Sequence, residues 1–215
     1  MYEKIDAYVL SLIEKSSSER TAWNLEKTRD GKKTDWNYID GCMITALLAM
    51  SDITGDKRYF DFAEHFIDWF VLDDGTIKTY DKEKYNLDDV NEGRVLFPLY
   101  AKTGKEKYKK AAEKLYQQLQ EQPRTFEGNF WHKAIYPDQV WLDGIYMAQP
   151  FYAMYERELG SGDYSDILAQ IENVRAHMFD EEKKLCYHGY DASRRAFWAD
   201  PETGCSKNFW LRSIG

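Results

Sequence analysis

Three times in this chain a glycine precedes a tyrosine by four residues: T-G-D-K-R-Y (Gly55 to Tyr59), T-G-K-E-K-Y (Gly104 to Tyr108) and G-S-G-D-Y (Gly160 to Tyr164). A glycine at a helix C-terminus enters the left-handed conformation without a Cβ penalty, and the polar residues after it start a second helix. The pattern predicts a helix-turn-helix unit used three times, each Tyr folding back onto its pair. Mostly apolar segments precede the glycines, at Cys42 to Met50, Val95 to Tyr100 and Ile145 to Tyr155, and read as inner helices. Amphipathic segments follow them, at Tyr59 to Phe70, Tyr108 to Leu119 and Ile167 to Phe179, and read as outer helices with one wet face.

The inner helices open alike, with Asp40-Gly41, Glu92-Gly93 and Asp143-Gly144. A period of about fifty residues marks a repeat architecture. Inner and outer helices alternating at that period form a curved or toroidal α/α array, with the inner-helix N-termini gathered on one face. The loops feeding that face, around Trp36, Asp88 and Trp141, are expected to build the site. The chain reads as all-α, about seven helices in one domain over residues 1–215, with an irregular loop carrying short strands between Leu185 and Lys207.

Composition narrows the partners. A net charge of −8, with Lys and Arg dispersed among acids, offers no stripe for a phosphate backbone, so nucleic acid is not expected. Cys42, Cys186 and Cys205 are odd in number and widely spaced, which argues against a disulfide framework and for a reducing, cytoplasmic setting. The opening M-Y-E-K-I-D-A-Y-V-L-S-L-I-E-K interrupts its apolar pattern with acids and reads as an amphipathic helix, not a signal peptide. No later stretch has the length of a membrane span.

The densest chemistry lies between Phe130 and Pro150, where Trp131, His132, Tyr136, Trp141, Asp143, Tyr146 and Gln149 crowd one short stretch. Aromatic faces stack on sugar rings, and a carboxyl beside them can trade protons. Asp143 has a plainer reading as a helix N-cap, one its Asp40 and Glu92 counterparts share. A cap needs neither ring platform nor imidazole, which favours a functional Asp143. Asp88, in N-L-D-D-V-N-E-G-R, is either a solvated loop acid or a second carboxyl approaching the same cavity, where like charge and burial raise the proton affinity of one of the pair. His132 and His188 (in C-Y-H-G-Y-D) are substrate contacts or satisfied loop histidines, while His65 and His177 lie on helices. Trp36, Asn37 and Tyr38 repeat the aromatic-before-acid-Gly arrangement, Trp36 with core packing as its alternative. Arg212 can bind a carboxylate bidentately or be solvated. Neither metal-ligand spacing nor a phosphate-loop, dinucleotide or nucleophile-elbow motif occurs, which leaves a carboxylate enzyme without metal or cofactor.

Together, W-N-Y-I-D-G, N-L-D-D-V-N-E-G-R, the run F-W-H-K-A-I-Y-P-D-Q-V-W-L-D-G-I-Y-M-A-Q-P-F-Y and H-G-Y-D-A-S resemble glycoside hydrolase family 105, the unsaturated rhamnogalacturonyl hydrolases. The resemblance runs from about Trp36 to the last residue. It implies an (α/α)6 barrel and removal of a Δ4,5-unsaturated uronic acid from the non-reducing end of an oligosaccharide. By motif match Asp143 protonates C4 of the enol ether and then, as carboxylate, helps water add at C5, after which the hemiketal opens and expels the neighbouring sugar. Asp88 matches the second acid. Tyr38, His132, Trp141 and His188 match positions lining the sugar pocket, and Arg212 matches the Arg of a W-x-R-x-x-G-W motif whose last Trp this chain does not reach.

The barrel needs about twelve helices, so the resemblance also implies an incomplete array. Half a toroid exposes the apolar sides of its inner helices, and a second copy is one way to cover them. The expected activity is hydrolysis of unsaturated galacturonyl-rhamnose. The alternatives are an inactive remnant that binds sugar weakly and an unsaturated glucuronyl hydrolase acting on glycosaminoglycan fragments.

Overall fold

The computed structural model describes residues 2–214 of the chain. The seven long helices lie where the repeat pattern puts them: α1 (Tyr2–Glu14), α3 (Tyr38–Thr54), α4 (Lys57–Phe70), α6 (Leu96–Thr103), α7 (Glu106–Glu121), α8 (Leu142–Glu158) and α9 (Ser165–Met178). Three short helices join them: α2 (Leu25–Arg29), α5 (Leu87–Glu92) and α10 (Leu211–Ile214). Two antiparallel two-stranded pairs complete the described elements, β1 (Gln139–Trp141) with β4 (Gly189–Asp191) and β2 (Phe179–Asp180) with β3 (Leu185–Cys186). No described helix is long and apolar enough to cross a membrane.

The chain divides into two compact units, residues 1–80 with 92–114 and residues 81–91 with 115–215. In the first, α3 and α4 form a hairpin whose core holds Ile44, Leu47, Tyr59, Phe66 and Phe70. Gly55 ends α3 in the left-handed conformation at φ 72°, and Gly104 ends α6 the same way at φ 68°. The tyrosines that follow are fully buried. Tyr59 donates to Asp6, and Tyr108 donates to Asp68 at 2.5 Å. The third pair departs from this pattern. Gly160 is not left-handed; Gly162 takes that role, and Tyr164 is exposed. The cause is Glu156, a buried carboxylate that accepts from the Tyr116 hydroxyl at 2.7 Å and from the Ser161 backbone and hydroxyl. A Cβ at Gly160 would lie 2.5 Å from that carboxylate, so glycine is there for close approach, not for turn geometry.

The acid-Gly steps do not cap helices as expected. Asn37 caps α3, its side chain accepting from the Ile39 and Asp40 backbones, while Asp40 is the third helical residue. Glu92 ends α5, and a 3-10 turn over Gly93–Val95 leads into α6. Pro98 sits in the first turn of α6, where its missing N–H breaks no helical bond. What fixes Gly41 is packing, because a Cβ there would meet the Glu92 Cα at 2.6 Å.

In the second unit a core of Val140, Val174, Met178, Tyr190 and Cys205 holds the strand pair against α9. The β1–β4 register sets Trp141 opposite Gly189, and the Leu142 N–H donates to the His188 carbonyl at 2.9 Å. The loop that composition alone marked as irregular thus delivers His188 to the start of α8. Inside α8, Pro150 cannot donate to the carbonyl of Tyr146. Asn91, which is buried, donates its side-chain N–H to that carbonyl instead, at 3.3 Å.

Candidate active site

The site-bearing residues of the second unit gather around one imidazole. His132 is 2% exposed, and its backbone is held at both ends: its N–H donates to the Gln139 carbonyl at 2.9 Å, and its carbonyl accepts from Leu87 at 3.1 Å. The second of these bonds starts α5. Asp88 is therefore a helical residue, not the loop acid that sequence suggests, and it stands second in its helix after Leu87 as Asp143 stands second in α8 after Leu142.

Nε2 of His132 lies 3.4 Å from Oδ1 of Asp88, whose Oδ2 makes a 2.7 Å ion pair with Lys133. Burial holds the imidazole below its ordinary pKa, outweighing the upward pull of the Asp88 charge and then of Asp143. His132 is thus a neutral hydrogen-bonding ring near pH 7, and both acids act on it. Its face stacks on Trp141, with centroids 4.5 Å apart and planes 12° apart, and Tyr136 stacks near Trp141 at 5.0 Å. His188 lies 5.7 Å from Trp141 and edge-on to Trp210, over whose ring the Arg212 guanidinium sits at 3.9 Å.

Four buried polar atoms here have no partner among the described residues: Oδ1 of Asp143, Nε1 of Trp131, Nδ1 of His132 and Oε1 of Gln149. Asp40 gives the contrast within the same repeat. Its carboxylate is fully buried and accepts from Trp23 Nε1 at 2.7 Å, Asn37 Nδ2 at 2.7 Å and Thr21 Oγ1 at 3.2 Å. A buried carboxylate so supplied is structural. One whose oxygen is left bare is available to a ligand that brings its own hydrogen bonds. The N-cap reading of Asp143 fails as well, since the cap position is Trp141 and no side chain caps α8.

The structure does not use every candidate as the sequence suggests. Trp36, 2% exposed and edge-on to Phe70, is a core residue of the first unit. Asn37 is spent on capping α3 and on binding Asp40, while Tyr38 is the half-buried first residue of that helix. Gln149, 5% exposed, is not a surface contact. It lines a small cavity with His132, Trp141, Gly144 and Gln170.

Two residues escaped the sequence reading. Lys133 was quoted only as part of a motif, and its adjacency to His132 was the available signal. Asp89 sits beside Asp88 and accepts from Asn86 at 2.9 Å. Burial first, and the Asp88 charge second, push its carboxyl up to about 7. The acid whose proton affinity rises is thus Asp89, which lies outside the Asp88 and Asp143 pair for which the sequence reading expected a rise.

The sequence model of Glycosyl Hydrolase Family 88 matches residues 12–215. The unsaturated rhamnogalacturonyl hydrolase YesR of Bacillus subtilis (strain 168) is 26% identical over 163 residues, which are 73% of this chain and 45% of that protein. The structure of a family 105 glycoside hydrolase from C. acetobutylicum ATCC 824 is similar at a TM-score of 0.81 and 42% identity, covering 83% of this chain and 50% of the other. A possible family 105 member from Klebsiella pneumoniae subsp. pneumoniae MGH 78578 shares the fold at a TM-score of 0.72 and 20% identity, over 93% of this chain and 54% of the other. The chain spans about half the length of these relatives. It belongs to Glycosyl Hydrolase Family 88, and its structure is similar to those of family 105 hydrolases.

Proposed function

We propose that this chain carries the catalytic acids of a hydrolase that releases Δ4,5-unsaturated galacturonic acid from the non-reducing end of rhamnogalacturonan oligosaccharides. The observation that carries the reading is the bare, buried Oδ1 of Asp143 beside the ring stack of Tyr136, Trp141 and His132. YesR, by its name an unsaturated rhamnogalacturonyl hydrolase, points to the same substrate class.

In this reaction the protonated Asp143 gives its proton to C4 of the enol ether, and the π electrons of the double bond form the new C–H bond. The cation that develops at C5 is shared with the ring oxygen. Water adds at C5 and returns a proton to the Asp143 carboxylate, so the residue ends as it began. The hemiketal opens, and the aglycone leaves as an alcohol. Asp88, fixed by Lys133, accepts hydrogen bonds from ring hydroxyls. His132, buried and neutral, orients Asp88 without adding a second cation.

The test is loss of the conjugated-alkene absorbance of a lyase-generated disaccharide. Turnover by the parent, with a fall of at least about a hundredfold in Asp143→Asn, is expected from removal of an acid-base group. Equal signals from parent and variant would reject the assignment. Running unsaturated galacturonyl-rhamnose beside an unsaturated glucuronyl disaccharide decides the sugar, and preference for the second would overturn the substrate proposed.

A further inference from the structure

The small cavity lined by His132 and Gln149 brings together two buried atoms that have no partner among the described residues, Nδ1 of His132 and Oε1 of Gln149. Both residues are more than nine-tenths buried. The remaining lining is chiefly apolar, from Leu87, Phe130, Val140 and Ile145. Gln170 reaches the same cavity, but its oxygen accepts from the Phe130 backbone, its amide donates one N–H to Asp166, and neither open acceptor takes the other N–H. Gly144 keeps Nδ1 open, since a Cβ there would stand 2.8 Å from it.

The geometry favours one hydrogen-bonding character for each atom. The Nε2 side of His132 faces the Asp88 carboxylate at 3.4 Å, which favours the proton of the neutral ring on Nε2 and a lone pair on Nδ1. The Gln149 oxygen is also an acceptor. Two acceptors cannot bond each other, and each is destabilising when left bare in an apolar wall. A water molecule has two O–H donors. The cavity has about 10 Å³ of room for a water centre, roughly one molecule's worth.

We propose that a single ordered water fills this cavity, donating one hydrogen to Nδ1 of His132 and the other to Oε1 of Gln149, and that Gln149 is thereby a positioning residue. Through the water it holds His132 in the Nε2–H tautomer that faces Asp88. Gln149 itself touches no substrate. The catalytic consequence rests on the hydrolase reading above; the water and the tautomer do not.

Two measurements on the unaltered protein test the proposal without need of turnover. A high-resolution crystal structure should show one density peak within hydrogen-bond distance of both atoms, and long-range proton–nitrogen correlation spectra should show His132 as a single Nε2–H tautomer. Gln149→Met, close in volume, removes the acceptor. It should give a mixed or inverted tautomer and lower kcat about tenfold, the equivalent of one hydrogen bond, with KM within about twofold. A dry cavity, mixed tautomers in the parent, or a Gln149→Met protein with unaltered tautomer and kcat would each overturn it. If that variant does not fold, the parent's density and spectra still decide. A parent that turns over no unsaturated sugar yet shows the water and tautomer would sink the hydrolase reading alone.

Discussion

Alanine at two of the three acid-Gly steps, Gly41 and Gly144, should separate stability from catalysis, because the same Asp-Gly dipeptide packs against different things. At Gly144 an added Cβ would stand 2.8 Å from Nδ1 of His132 and 3.6 Å from Cδ1 of Leu87. Non-bonded carbon contacts settle at about 3.5–4.0 Å, so the imidazole must retreat by roughly 0.7 Å. Trp141 stacks on the ring at 4.5 Å and Asp88 faces Nε2, so the retreat displaces the group that both acids act on. At Gly41 the Cβ would meet the Glu92 Cα at 2.6 Å, which is backbone and has no rotamer to yield. Helix propensity acts the other way at both sites, favouring alanine by about 1 kcal/mol. Overpacking costs about 1–3 kcal/mol, more where backbone must move, so Gly41→Ala should lose net stability at the upper end of that range and Gly144→Ala about 1 kcal/mol or less. A misplacement approaching 1 Å costs on the order of a hundredfold in rate, and that loss falls on Gly144→Ala. Urea denaturation of both variants and alkene-loss kinetics on whichever fold are the assays. A Gly144→Ala protein with parental turnover, or a Gly41→Ala protein stabilised by its helix propensity, would refute the packing argument.

Other outcomes follow from the buried polar groups. Asn91→Leu removes the donor that serves the Tyr146 carbonyl and should cost about 1–3 kcal/mol. Pro150→Ala restores a backbone N–H for that carbonyl, so the double variant should lose less than the sum of the two; strict additivity in a denaturation cycle would mean the two do not share the carbonyl. Asp89, at about 7, keeps in the folded state a proton that the unfolded chain releases near pH 4. Its contribution is therefore fully present below about pH 4 and is lost as pH rises towards 7. Asp89→Asn should remove this loss and gain roughly 1–3 kcal/mol relative to the parent at pH 8 but not at pH 4. Buried His132 works in the opposite sense, losing stability as pH falls below about 6.5. The parent-minus-variant difference across pH is thus the quantity to measure, and a flat difference would rule out Asp89 as the source.

The long helices were legible because their signals are local: apolar period, Gly55 and Gly104 at helix ends, and tyrosines at fixed offset. The third unit misled because Gly160 answers to the Glu156 carboxylate, a contact that turn chemistry does not encode. The start of α5 was legible only in part. Asn86 caps it, its side chain accepting from the Asp88 N–H at 3.1 Å, but the first N–H is satisfied by the His132 carbonyl, forty-odd residues onward. Without that distant contact Asp88 looked like a loop acid. The register inferred from the acid-Gly steps paired Asp143 with Glu92, whereas position within the helix pairs it with Asp88. Trp36 and Asn37 share the residue types of the Trp141 segment, yet one is core and the other a cap. Lys133 and Asp89 take their significance from Asp88, visible only once the chain has closed around His132.

What separates Asp40 from the Asp143 that we propose as reactive is the supply of donors, not burial or position in the helix. Asp40 lies in the first turn of an inner helix as Asp143 does, and it is the more deeply buried. Burial raises its proton affinity, and Trp23, Asn37 and Thr21 each bring a hydrogen that pulls the other way and satisfies its oxygens. Those donors come from the chain on the N-terminal side of α3: a threonine, an indole and the capping Asn37. The corresponding stretch before α8 supplies rings instead. His132, Tyr136 and Trp141 stack on one another, and the Trp141 indole N–H is turned to the Gln139 side chain at 3.1 Å. Rings so arranged exclude water without satisfying a carboxylate, so an oxygen of Asp143 is left desolvated and unbonded. The free energy of that bare oxygen is recovered by a guest that carries donors to it, and an oligosaccharide, the guest proposed above, brings hydroxyls together with ring faces for the aromatic wall.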